Sequence, residues 1–257
     1  MGLPYIIAGL VVGFIVGLTG VGGGSLMTPI LLWFGITPTA AVGTDLLYAA
    51  ITKCGGVIVH QRARNIDWQI TGWLALGSVP ASLLTVIGLH VLHPDIALMN
   101  NVIRHTLGLA LVLTALAIVF KRHLLEFGRR RFQRAPLTGT PLIASTVLTG
   151  VALGVLVTLS SIGAGALGTV ALLLLYPTIQ TSRLVGTEIA HAVPLTLIAG
   201  LGHAGLGHID WPLLGKLLCG SLPGIWIGSQ LTRRLPDMAL RPALAGMLLL
   251  TGAKLVW

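Results

Sequence analysis

Gly20-Val21-Gly22-Gly23-Gly24-Ser25 interrupts an apolar stretch near the start of the chain, and Ser160-Ser161-Ile162-Gly163-Ala164-Gly165 interrupts another in its second half. Beyond each break the apolar sequence continues only briefly, at 25–34 and 165–176. A helix needs about 20 residues to cross bilayer hydrocarbon, so neither stretch spans alone. Both read as half-helices that follow a segment where the backbone leaves regular helical pairing.

Around these breaks lie further apolar segments at 3–19, 43–60, 68–89, 100–120, 139–160, 186–203, 211–231 and 242–257. The 257 residues are 54% hydrophobic and 9% charged, with a mean hydropathy of +0.93. A soluble domain carries roughly 25% charged residues, so lipid is the expected solvent and an all-α polytopic membrane protein the expected class. Cys54 and Cys219 sit inside apolar runs and read as small membrane-helix residues, not as a disulfide or a metal clip. The net charge of +9 is confined to short breaks between apolar runs, which argues for cytoplasmic loops and against a nucleic-acid partner. The N-terminus has no basic region ahead of its apolar run and is expected to be a retained first helix.

The two breaks belong to an internal repeat. At an offset of 143 residues, Gly20–Pro80 matches Gly163–Pro223 without a gap, with roughly 18 identities in about 61 positions. Val42-Gly43-Thr44-Asp45 falls on Val185-Gly186-Thr187-Glu188, His60 on His203, Ile66-Asp67-Trp68 on Ile209-Asp210-Trp211, and Gly77-Ser78-Val79-Pro80 on Gly220-Ser221-Leu222-Pro223. Basic residues set the sidedness. Lys121, Arg122, Arg129, Arg130, Arg131 and Arg134 crowd one connection, Arg62 and Arg64 a second, and Arg233, Arg234 and Arg241 a third, all predicted to be cytoplasmic. The connections at 90–99 and 204–210 carry no lysine or arginine and are expected outside. Alternation closes only if 3–34 and 139–176 are re-entrant hairpins inserted from opposite sides, each followed by three spans. The expected organisation is therefore a first repeat at 1–120, a basic cytoplasmic linker at 121–138 and an inverted second repeat at 139–257, with both termini outside.

Opposed hairpins bring their broken tips together near the bilayer midplane. Free N–H groups and the positive amino ends of the half-helices there suit an anion. Gly9, Gly13 and Gly17 fit close helix packing. Gly20, Gly22, Gly23, Gly24, Ser160, Ser161, Gly163 and Gly165 are candidate anion ligands, with Thr19, Ser25, Thr44 and Thr187 as hydroxyl donors. Lys53 lies about ten residues into its helix, near the midplane, where a lysine costs about 2.5 to 3.5 kcal/mol and calls for a cavity or a partner. Asp45 and Glu188 follow threonines at expected helix starts, which leaves open a capping role or the coupling of protons or sodium; His191, one turn on, is a third coupling candidate or a packing residue. His60 and His203 are expected at the interface, Trp68 and Trp211 as interfacial anchors, and Asp67 and Asp210 as N-caps. No cofactor or metal is implied, and homo-oligomer formation is left open.

The run Gly17-Leu18-Thr19-Gly20-Val21-Gly22-Gly23-Gly24-Ser25-Leu26-Met27-Thr28-Pro29, with Ala41-Val42-Gly43-Thr44-Asp45 and its duplicate, resembles the sulfite exporter TauE/SafE family of membrane permeases over nearly the whole chain. The resemblance implies export of sulfite, sulfoacetate or a related organosulfonate across a prokaryotic inner membrane without ATP. In the second copy Ser160 and Ser161 replace Gly17 and Leu18, and Leu167 replaces Gly24, so the two hairpins are not equivalent toward a substrate. Two other classes compete. A passive anion channel could use the same hairpins, and an intramembrane hydrolase could use Ser160 or Ser161 with His191 or His203, although no Gly-x-Ser-x-Gly elbow is present. The glycine-rich run also lacks the Gly-Lys-Ser/Thr ending of a nucleotide-binding loop.

Overall fold

In the computed structural model, residues 2–19, 24–92, 95–120, 123, 126 and 138–231 are described. They form the helices α1 (Leu3–Thr19), α2 (Gly24–Trp33), α3 (Pro38–Arg62), α4 (Trp68–Val91), α5 (Ile96–Val119), α6 (Thr140–Ser160), α7 (Ala166–Leu175), α8 (Thr181–Gly205) and α9 (Trp211–Leu231), with no strand among the described residues. The chain is an all-helical polytopic membrane protein. Helices α3, α4, α6 and α8 are each long and apolar enough to cross a membrane. The apolar run at 242–257, the residues Arg233, Arg234 and Arg241, and the basic residues of the 121–134 connection lie outside the described residues.

Both half-helices are ten residues long, about 15 Å, half of what a bilayer core requires. Each returns to the level at which its hairpin began. Tyr5 at the start of α1 meets Phe34 just after α2, edge to face with ring centroids 5.5 Å apart. Thr146 near the start of α6 shares a 2.8 Å hydrogen bond with the Tyr176 hydroxyl at the end of α7. The second hairpin has unequal legs, because α6, with 21 residues, is itself of spanning length. Its tip therefore reaches deep. The Thr158 carbonyl accepts a 2.9 Å hydrogen bond from His203 in the last turn of α8.

Two helices start earlier than their apolar runs suggest. α3 begins at Pro38 and α8 at Thr181, since Thr37-Pro38 and Gln180-Thr181 enter the helix from extended backbone and proline suits a first turn. Asp45 and Glu188 consequently sit two turns inside their helices and cap nothing, correcting the expected helix starts. Asp67 does cap α4, accepting from the Gln69 and Ile70 amides, and Asp210 accepts from the Leu213 amide at 2.9 Å. Trp68 and Trp211 are more than half exposed, as anchors at an interface would be. Cys54 and Cys219 are free thiols on exposed helix faces.

The halves pair crosswise. In lipid, helices associate through close packing, which small residues permit. A Cβ added at Gly77 of α4 would fall 2.0 Å from the Val147 carbonyl oxygen of α6, and one at Gly150 of α6 would fall 2.3 Å from that of Leu74 of α4. The same contacts recur between α1 and α9: Gly220 would meet the Ile6 carbonyl oxygen at 2.0 Å and Gly9 that of Leu217 at 2.3 Å. Gly13 lies against Ser221 as Gly154 lies against Ser78. Each half thus lends one helix to the other.

Helices α3 and α8 form the centre and run antiparallel. Gly43 near the start of α3 packs on His208 after the end of α8, while Gly186 near the start of α8 packs on Asn65 after the end of α3. One buried cluster, containing Val42, Leu46, Ile103, Val157 and Leu195, ties both helices to α5 and α6.

Candidate functional site

The second break shows its construction in full. Ser161 closes α6 in the left-handed conformation, with φ 58°, and Gly163 at φ 124° occupies backbone space that favours glycine. The Ser160 hydroxyl is used locally: it contacts the Leu156 carbonyl at 2.6 Å and the Ile162 carbonyl at 3.1 Å, and lies 3.2 Å from the Ile162 amide. Gly163 in turn accepts from the amides of Gly165 and Gly168, which starts α7. The Ser161 hydroxyl is buried with no partner among the described residues.

Lys53 reaches this break from the middle of α3. Its ammonium donates a 2.5 Å hydrogen bond to the Ala164 carbonyl oxygen, and the side chain is only 6% exposed. The cation of the first half thus serves the break of the second. Thr196, the matching residue on α8, is uncharged and turns its hydroxyl back to the Ala192 carbonyl at 2.8 Å. Asp45, fully buried, accepts a hydrogen bond from Thr28 of α2 through one carboxylate oxygen, and its other oxygen has no partner among the described residues. Glu188, 4% exposed, lies against the first turn of α7: a Cβ at Gly168 would come within 3.2 Å of its Oε1, which is also unpartnered among the described residues. Lys53 lies within electrostatic reach of both carboxyls. Each acid is therefore seated at the first turns of the half-helix in its own half.

His191 belongs to the same centre. Its Nε2 lies 2.8 Å from the Ser78 hydroxyl of α4, while its Nδ1 has no partner among the described residues. Tyr48 occupies the matching place on α3. The serine that meets a histidine is thus Ser78, and neither Ser160 nor Ser161 is paired with one. His203 is fully buried, contrary to the expected interfacial position, because its ring is drawn across to α6. A carbonyl only accepts, so His203 donates through Nε2; its Nδ1 lies 3.1 Å from Nδ1 of His208, whose burial holds it below the usual histidine range.

Thr44 and Thr187 have a different place. The Thr44 hydroxyl accepts from the Asp210 amide at 3.1 Å, and that of Thr187 from the Asp67 amide at 2.9 Å. Each threonine thereby steadies the cap of a helix in the other half, with Arg183 adding an ion pair to Asp67 at 3.1 Å. Thr44→Ala and Thr187→Ala are each expected to cost about 1 kcal/mol of stability in thermal unfolding, without weakening anion binding. Gly20, Gly22 and Gly23 lie outside the described residues, as do the side chains of Thr19 and Ser25, and Gly24 opens α2. No group of three or more metal-ligating side chains occurs among the described residues.

Four helices of spanning length, two ten-residue half-helices and a sealed polar centre carrying one amine and two carboxyls suit a membrane transporter. The family model described as sulfite exporter TauE/SafE matches residues 5–255, and the chain belongs to that family. It is 40% identical to the probable membrane transporter protein YjnA of Bacillus subtilis over the full length of both chains. It is 30% identical to YdhB of the same organism, across 93% of this chain and 96% of that one. A probable membrane transporter protein of Methanocaldococcus jannaschii, MJ0441, is 27% identical across 76% of this chain and 69% of its own. No solved structure matches the chain.

Proposed function

We propose that the protein is a secondary transporter that exports a small sulfur oxyanion, such as sulfite, sulfoacetate or a related organosulfonate, across a prokaryotic inner membrane by alternating access. The observation that carries the reading is the Lys53 ammonium held on the broken backbone at Ala164, sealed from solvent beside the amino end of α7. An amine and a helix amino end converging on one closed point make an anion site. The family's description as sulfite exporters supports the choice of anion. Lys53, Ser161, Gly163 and Gly165 form the described part of the site. Thr44 and Thr187 hold the halves together instead.

The organisation into repeats at 1–120 and 139–257, joined by a basic cytoplasmic linker at 121–138, belongs to the same proposal. Its support is the reciprocity of contacts: Thr44 with Asp210 and Thr187 with Asp67, Gly43 with His208 and Gly186 with Asn65. A two-fold axis in the membrane plane relates matched helices that run antiparallel, and rocking about such an axis exposes a central site to each side in turn.

The test is counterflow in proteoliposomes. Labelled sulfite or sulfoacetate is expected to accumulate saturably against an internal load of the same anion. A flux that never saturates and shows no exchange identifies a channel, and the absence of any flux of either anion in protein that remains folded removes the substrate assignment.

A further inference from the structure

We propose that the anion reaches this centre together with a proton, taken up by the carboxyl groups of Asp45 and Glu188, so that the loaded carrier holds balanced charge. The inference rests on the anion site above and names its coupling ion. Its basis is the set of groups that face one another. α3 contributes Asp45, Lys53 and the Tyr48 phenol, and α8 contributes Glu188 and His191. α2, α6 and α7 carry no titratable side chain. α4 presents Ser78 here, with Asp67 and His90 at its two ends. On α5, Arg104 lines an open cavity of about 650 Å³ with Pro38 and Asp95, and His105 is exposed. Lys216 of α9 lies 6.0 Å from the Tyr5 ring of α1. The described centre therefore sets two carboxyls against one amine, with the His191 imidazole turned to Ser78 through Nε2.

An unbalanced buried ion costs several kcal/mol, so Lys53 can offset one carboxylate and the other is held as the acid. An arriving monovalent anion occupies Lys53. The carboxylate that Lys53 balanced is then left uncompensated, next to an added negative charge, and must itself be protonated. Binding thus draws in about one proton per monovalent anion by linkage. Sodium fits less well. A hard cation gathers about six oxygens, whereas Glu188 meets a bare glycine and Asp45 meets the hydroxyls of Thr28 and Ser161. A single unpartnered carboxylate oxygen is enough for a proton, and each acid has one among the described residues.

The experiment is isothermal titration of the full-length protein in lipid nanodiscs with isethionate, a monovalent sulfonate that does not titrate near neutrality. Buffers of different ionisation enthalpy count the protons, and sulfite and sulfoacetate are titrated alongside. Uptake of about one proton per anion is expected, with affinity rising up to about tenfold for each unit of acidification where the carboxyls titrate. Replacing both acids, Asp45→Asn with Glu188→Gln, checked for an unchanged elution profile, is expected to flatten the pH dependence where the carboxyls titrate, whereas either single change leaves one carboxyl to take up the proton. If isethionate does not bind, the protons are counted with sulfite as the difference between wild type and the variant lacking both carboxyls. Binding without proton uptake, binding with proton release, or binding lost when sodium is replaced by N-methylglucamine overturns the proton proposal and leaves the anion site standing. Failure of all three anions to bind overturns the site, and the proton proposal with it.

Discussion

Lys53→Ala is expected to weaken sulfite or sulfonate binding about 100-fold, close to 2.7 kcal/mol, while leaving the helical fold intact. The ammonium is the single described cation of the sealed centre, and its loss removes both the countercharge and the donor to Ala164. The fold should survive because the carboxylate that Lys53 balanced can take a proton, so the change removes a costly buried ammonium without leaving a charge behind. Titration of anion affinity together with thermal unfolding separates the two effects. A mutant that binds like wild type leaves the backbone at the breaks as the whole of the site.

Gly77→Ala is expected to be, with Gly220→Ala, the most damaging single-methyl change in the described helices, lowering stability by about 3 kcal/mol. The new Cβ would lie 2.0 Å from the Val147 carbonyl oxygen, and backbone cannot rotate aside as a flexible side chain can. α4 and α6 must therefore separate, and Gly150 and Gly154 lose their close approach together. Gly220→Ala should act likewise between α9 and α1. Gly72→Ala on α4, where nothing lies within 4 Å of the added atom, is the control and should unfold at the wild-type temperature. Thermal unfolding in detergent with a size-exclusion readout checks all three.

The half-helices were legible because glycine followed by too short an apolar run admits few other readings in lipid, and α2 and α7 start within a residue of the expected breaks. Lys53 stood out for a similar reason, since a charge at that depth demands a partner. Its partner did not: a backbone carbonyl 111 residues away carries no signal in the residue type Ala164. The partners of Thr44 and Thr187 were illegible for the same reason, being main-chain amides across 166 and 120 residues. The capping role considered for Asp45 and Glu188 came from reading α3 and α8 as starting where the apolar runs start, when Thr37-Pro38 already announced the earlier turn of α3. The crosswise pairing was hidden in part by register. Gly9 answers to Gly150 and Gly13 to Gly154, two residues out of step with the offset of 143, so a gapless comparison passes over them.

The pairing of α1 with α9 bears on how the chain is made. α1 leaves the ribosome about 190 residues before α9 emerges to cover Gly9 and Gly13. Through that interval the small-residue face of α1 meets only lipid or the insertion machinery, and the α4–α6 pair is complete well before the α1–α9 pair can form. The docking of α1 against α9 therefore follows the pairing of α4 with α6. A nascent chain stalled before α9 is expected to remain open to proteases at α1 even when its central helices have already folded.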